Sequence, residues 1–294
     1  MFESAAAPPW VAALRPHQWT KNLLVFVPLV LAHVFTLEGW LLAARVFAAM
    51  CLASSSAYLI NDILDRKADR THTLKRHRPI AAGSIGVTAA AGVALLFAAA
   101  SLLLSASLSR LALAAVGIYL GLTLTYSLWL KRALAVDVFV LTALYCLRVL
   151  IGGIATGITI SPWTFSFSMF IFLSLALMKR YAELFNARSG PGILSTRRGY
   201  VLDDMPIIAS FGVASATTAI LVVALYVNGD DVRKLYSKPD LLWLICLVVL
   251  LWITRLWLLT NRGSMHEDPV LFAVRDPWSL LSVVAVGSVI LISL

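Results

Sequence analysis

A chain of 294 residues, 60% of them hydrophobic and only 13% charged, departs from the roughly 45–50% apolar content of a water-soluble domain. Its apolar residues fall in runs close to the roughly 20 residues that cross a hydrocarbon core, so an all-α integral membrane protein is expected. The formal charge of +9 is not accompanied by any basic helix with interleaved aromatics outside those runs, which excludes nucleic-acid binding as its cause.

In chain order, spans are predicted at residues 22–37, 40–61, 84–107, 110–130, 134–158, 163–185, 206–228, 239–259 and 278–294, nine in all, the first and last being short. Arg15 and Lys21 lie at the start. Arg66, Lys67, Arg70, Lys75, Arg76 and Arg78 follow the second span, and Lys131 and Arg132 the fourth. Lys179, Arg180, Arg188, Arg197 and Arg198 follow the sixth, and Arg255, Arg262 and Arg275 the eighth. The opposite side has only Arg45, Arg110, Arg233, Lys234 and Lys238. Because basic loops stay in the cytoplasm, the N-terminus is expected inside and the C-terminus outside a cytoplasmic (inner) membrane.

The longest polar connections, 62–83, 186–205 and 260–277, all belong to the cytoplasmic side, so residues 1–294 read as one transmembrane domain with its chemistry there. The opening MFESAAAPPW lacks a basic stretch followed by an apolar core, and no cleaved signal peptide is expected. Cys51, Cys146 and Cys246 all fall within apolar spans and read as small apolar residues.

At the end of the second span, Asn61, Asp65 and Asp69 recur every four residues and share one stripe of a helix, with Asp62 beside them. Such carboxylates repel one another unless a cation intervenes. An amide with carboxylates suits Mg²⁺, which binds through one or two carboxylates together with waters and substrate phosphate oxygens. The alternative is a solvated helix end paired with Arg66, Lys67 and Arg70. Against it, the stripe continues from a membrane span, where ionisable groups are costly and mark function.

The stretch NDILDRKAD resembles the N-D-x-x-D-x-x-x-D signature of the UbiA superfamily of intramembrane prenyltransferases. LRPHQWTKN (14–22), KRHRPIAAG (75–83), LRVLIGGIATGI (147–158), MKRYAEL (178–184) and DPVLFAVRD (268–276) together resemble the branch that contains decaprenyl-phosphate phosphoribosyltransferase. The resemblance implies a bundle of nine transmembrane helices around a central cavity open to the cytoplasm. It also implies a diphosphate held through Mg²⁺ by Asn61, Asp62, Asp65 and Asp69, the three aspartates being catalytic.

The superfamily pattern includes a second acidic motif, D-x-x-x-D, at the end of the sixth span. Here MKRYAELFNAR has only Glu183 as an acid, beside Lys179, Arg180 and Arg188, which predicts a positive half-site suited to a phosphate. Two anionic substrates, 5-phosphoribosyl 1-diphosphate and a polyprenyl phosphate, need more fixed cations than a prenyl diphosphate and a neutral ring.

Candidate substrate contacts are therefore Gln18, Lys21 and Asn22 at the first span, Arg70, Lys75 and Arg78 after the second, and Arg148 in the fifth. Arg148 is expected to meet a phosphate, since Asp137 lies about three turns away on the same helix. Lys179, Arg180 and Glu183 are candidates that could equally neutralise one another, Lys179 and Glu183 at i, i+4. Tyr126 and Tyr181 could donate to phosphate or ribose oxygens or anchor at the interface. In SMHEDPVLFAVRD, His266 and Glu267 lack the further ligands of a zinc site, and Asp268 and Arg275 are loop candidates. His17, His72 and His77 lie near the motifs, but a phosphate nucleophile already ionised at neutral pH needs no histidine base.

The resemblance implies transfer of 5-phosphoribose to the lipid phosphate, for lipid-linked pentose and cell-envelope polymer synthesis. The alternatives are an aromatic prenyltransferase acting on a ring such as 4-hydroxybenzoate, and a non-enzymatic lipid- or ion-binding transporter.

Overall fold

The computed structural model describes residues 8–71, 75–188, 199–229, 232, 235–265 and 268–294. His72, Arg197, Arg198, Arg233, Lys234, His266 and Glu267 lie outside the described residues. Long helices dominate: α3 (Leu37–Arg70), α5 (Val87–Ala106), α6 (Arg110–Leu128), α7 (Val136–Thr156), α8 (Pro162–Arg188), α9 (Met205–Val227) and α10 (Trp243–Asn261). Short α1 (Pro9–Leu14), α2 (Val27–Leu31), α4 (Pro79–Ala82) and α11 (Pro269–Arg275) connect them, and α12 (Pro277–Ser293) ends the chain. Side-chain caps set several starts. Thr36 accepts from Gly39 N (3.2 Å) at α3, and Ser109 from Ala112 N (3.0 Å) at α6.

Among the described residues, seven helical stretches are long and apolar enough to span a membrane, and eight if α11 and α12, bent by 80°, count as one. The expected span at 22–37 differs most. Residues Pro16–Phe26 form a 3-10 helix, followed by α2 and a turn in which His33 takes φ 54°. The three-residue period of that helix aligns Trp19, Asn22 and Val25 in one column, and the latter two are fully buried. His17 and Leu23, on another column, are exposed. A search for 3.6-residue periodicity cannot register this pattern.

The chain divides into two compact units. One comprises Met1–Lys131 with Leu147–Thr159, the other Arg132–Cys146 with Ile160–Leu294, and the division falls within α7. In the first unit α5 packs on α3 through small residues, with Ser56 Oγ donating to the Ala94 carbonyl (2.7 Å) and Ser101 Oγ to that of Ala49 (2.8 Å). Below the acidic stripe, Ala13, Leu59, Ile80, Ile85, Ala90 and Ala94 form an apolar cluster that ties α1 and α4 to α3 and α5. In the second unit Trp257 packs against the bare backbone of Gly212 and donates to Ser174 Oγ (3.1 Å). Arg255 grips Asp276 at the α11–α12 bend (2.8 and 3.0 Å), and Asp276 caps α12 by accepting from Ser279 N (2.8 Å).

A methyl group on Gly152 would overlap the Val25 backbone carbonyl, whereas one on Gly117 meets nothing within 4 Å. Gly152→Ala should therefore lower the stability of the detergent-solubilised protein by about 1–3 kcal/mol in a thermal melt. Gly117→Ala should be neutral or raise it by up to about 1 kcal/mol.

Candidate active site

The acidic stripe stands where α3 runs past its apolar length, so backbone geometry alone brings Asn61, Asp62, Asp65 and Asp69 to one edge. Asp62 and Asp69 are each 2% exposed. Burying these acids requires counter-charge, and it comes from three separate segments. Arg15 Nη2 lies 2.6 and 2.8 Å from the two Asp62 oxygens. Arg78 Nη1 bridges Asp62 (3.2 Å) and Asp69 (2.8 Å). Lys131 Nζ donates to both Asp65 oxygens (2.7 and 2.9 Å) and to Asn61 Oδ1 (3.2 Å). The partners considered from the sequence lie elsewhere: Lys67 is exposed, and Arg70 Nε donates to the Ala81 carbonyl (3.0 Å).

This donor set fits a hard divalent cation in one specific sense. Among the described residues no group of three His, Cys, Asp or Glu is gathered tightly enough to enclose a metal ion. An amide and carboxylates along one edge, each reached by one cation or two, match the sparse protein coordination of Mg²⁺, which leaves positions for water and phosphate.

Beneath the stripe lies a buried polar network. Arg148, 6% exposed, donates through Nε to Asn22 Oδ1 (3.0 Å) and through Nη2 to the Tyr119 hydroxyl (2.7 Å). Ser54 Oγ donates to Asn22 Oδ1 (3.3 Å), and Asn22 Nδ2 reaches Cys51 Sγ (3.5 Å). Arg148 was expected to meet a phosphate, and an amide and a phenol are among the groups it meets. Lys21 is buried at 7% exposure, and Gln18 accepts from Tyr58 at 3.5 Å. Lys75 is exposed, and the Tyr126 ring is half-buried.

The second unit holds the other predicted cluster, with a different charge balance from that expected. Arg180, 1% exposed, pairs through Nε with Asp137 Oδ2 (2.7 Å) and also with Glu183. Lys179 pairs with Asp268 (2.7 Å), which also accepts from Tyr145 (3.4 Å) and caps α11. Three carboxylates thus face Lys179 and Arg180, so the positive half-site read from MKRYAEL is corrected to one in which both cations are neutralised. Asp137 and Asp268 arrive from other helices, which a local motif cannot reveal. Tyr181 points away from the cluster, donates to Asn261 Oδ1 (2.5 Å) and lines an apolar cavity of about 300 Å³ with Trp257 and Val213. Arg275 is exposed at the end of α11.

Arg15, Tyr119, Lys131, Asp137 and Tyr200 were not among the expected site residues. The lone Asp137 in an apolar run was the available signal. Tyr200 donates to Asp137 Oδ1 (2.6 Å), and burial first, then that carboxylate, push its hydroxyl above its ordinary value. A raised phenol pKa contributes stability that is fully present below about pH 10 and fades above it, so Tyr200→Phe should flatten the alkaline decline in melting temperature. Asp137→Asn should cost about 3–5 kcal/mol by removing a counter-charge of buried Arg180, and Asp137→Leu combined with Arg180→Met should recover part of that loss in the same melt.

Residues 22–274 match the UbiA prenyltransferase family. The chain is 39% identical to the uncharacterized protein y4nM of Sinorhizobium fredii over 92% of its own length, and it spans about half of y4nM, 53%. It is 36% identical to decaprenyl-phosphate phosphoribosyltransferase of Corynebacterium glutamicum over 72% of this chain and 64% of that one. In fold it is similar to a UbiA homolog from Archaeoglobus fulgidus solved bound to DMAPP and Mg²⁺, with a TM-score of 0.72, 16% identity, and coverage of 96% of this chain and 99% of that one. The chain belongs to the UbiA prenyltransferase family and is a multi-pass membrane protein.

Proposed function

We propose that this protein moves 5-phosphoribose from 5-phosphoribosyl 1-diphosphate to a polyprenyl phosphate, releasing diphosphate, in a Mg²⁺-dependent reaction at the cytoplasmic face of a cell membrane. The observation that carries the reading is the 36% identity to a decaprenyl-phosphate phosphoribosyltransferase, extending over 72% of the chain. The recruitment of Arg15, Arg78 and Lys131 onto the α3 stripe supports it, since a doubly anionic substrate pair calls for fixed cations beyond a metal.

In this reading Asn61, Asp62, Asp65 and Asp69 hold Mg²⁺. When bound, the ion neutralises charge that builds on the departing diphosphate. Arg15 and Arg78 hold Asp62 and Asp69 in place, and Lys131 holds Asp65, so the carboxylates do not have to be reorganised as the donor arrives. An oxygen of the lipid phosphate attacks ribose C1 as the C1–O bond to diphosphate breaks, and approach opposite the leaving group inverts the anomeric centre. No proton needs removing from that nucleophile, which agrees with a site built from carboxylates, guanidinium groups and amines.

A second reading has its own observation. The cluster around Lys179 and Arg180 contains Asp137, Glu183 and Asp268, which restores acidic character where the family pattern has a second aspartate motif. It favours transfer of a prenyl group from a prenyl diphosphate to a ring such as 4-hydroxybenzoate.

Purified protein with Mg²⁺ and a short polyprenyl phosphate should move label from 5-phosphoribosyl 1-diphosphate into lipid, and should leave 4-hydroxybenzoate unlabelled when offered labelled prenyl diphosphate. Label in the ring alone would establish the second reading. Asp65→Asn and Asp69→Asn should each reduce transfer by about 100-fold or more while the protein still accumulates in the membrane.

A further inference from the structure

Arg15 reaches the acidic stripe from outside the motif, and its setting does more than neutralise Asp62. Its backbone is left-handed (φ 53°, ψ 58°) immediately before Pro16, a conformation costly for a residue with a side chain and disfavoured again ahead of proline. Both flanks are tied to α3: the Leu14 carbonyl accepts from Ser55 Oγ (3.0 Å), and Trp19 Nε1 donates to the same hydroxyl (3.0 Å). The guanidinium lies over the Tyr58 ring, 5.1 Å from its centroid. Ser55, Tyr58 and Asp62 follow one face of α3, so successive turns hold the backbone, the flat face and the tip of the same arginine segment.

The grip on Asp62 is one-sided. Nη2 alone contacts both carboxylate oxygens, at 2.6 and 2.8 Å. Nε and Nη1 make no hydrogen bond among the described residues, and the side chain is 18% exposed. An arginine serving only as a counter-ion gains most by presenting its fork, two nitrogens to two oxygens. Here two donor nitrogens are left open beside a carboxylate at the rim of a buried site.

We propose that Arg15 is a bridging cation that holds Asp62 through Nη2 and offers Nε and Nη1 to a phosphate oxygen of the diphosphate donor, an inference that rests on the metal–diphosphate reading of the stripe. Its signature is a pair of effects with opposite signs. A divalent cation alone must compete with the guanidinium for Asp62, whereas a cation arriving with diphosphate gains the two open donors. A residue that merely propped up the fold would shift both affinities in the same direction.

The test uses full-length protein in detergent, Mn²⁺ followed by its free-ion electron paramagnetic resonance signal, and inorganic pyrophosphate as the anionic probe. Arg15→Gln should bind Mn²⁺ alone about tenfold more tightly than wild type, and pyrophosphate at saturating Mn²⁺ about tenfold more weakly. Arg15→Lys keeps the charge without the spare donors, so Mn²⁺ affinity should stay as in wild type while pyrophosphate affinity falls. If both affinities of Arg15→Gln drop together, or neither moves, the bridging role is wrong. Should Arg15→Gln fail to fold, unchanged pyrophosphate affinity in Arg15→Lys overturns it equally. Failure of the underlying reading looks different: wild-type protein would bind no Mn²⁺, or would bind it just as well after Asp65→Asn.

Discussion

Three carboxylates on one edge of a membrane helix constrain everything around them. Asp62, Asp65 and Asp69 cannot be packed together without counter-charge, and α3 itself places no cation against them. The chain answers with one cation from the end of α1, one from the connection after α3 and one from the connection after α6. Those demands explain the strained backbone at Arg15, the placement of Arg78 ahead of α4, and the turn in which Lys131 reaches back to α3. The apolar cluster under the stripe then fixes α1 and α4 so that their arginines arrive at the right height.

The second unit solves a related problem with the signs reversed. Arg180 is nearly inaccessible, so the carboxylates of Asp137 and Glu183 converge on it, and Tyr200 completes the shell of Asp137. Breaking such a pair costs more than removing it whole, because the survivor stays buried with its charge. Both units thus keep fixed ions where a lipid environment would otherwise expel them, each neutralised by its partners.

Much of this was legible in the chain because it is local. The four-residue repeat of Asn61, Asp65 and Asp69 fixes a helical edge, and α3 carries it as expected. The apolar runs give most of the long helices to within a few residues, as at 110–130 against Arg110–Leu128, whereas α3 continues past 61 to Arg70. What was not legible depends on distance along the chain or on another period. Arg15 and Asp62 are 47 residues apart, and Lys131 and Asp65 are 66 apart, so their charges read as loop topology. The lone Arg148 is buried, and among the groups it meets are Asn22 and Tyr119, neutral side chains from separate helices. The positive character read from MKRYAEL failed for the same reason, since Asp137 and Asp268 are contributed from 43 and 89 positions away from the cations they meet. The first span differs because its segment coils with three residues per turn as far as Phe26, before α2 begins.

The length of α3 has one further consequence. Its 34 residues rise about 51 Å, and Asp62 stands about 38 Å from the exposed start at Leu37, against about 30 Å of hydrocarbon. A helix of that length cannot be enclosed whole by the hydrocarbon core, and the carboxylates lie toward its far end. On the proposed reading a lipid phosphate would meet the stripe there, and its tail would not have to be drawn into water. Neither substrate would then have to be extracted from its natural phase, and the protein would only lower the electrostatic barrier at the boundary the two share.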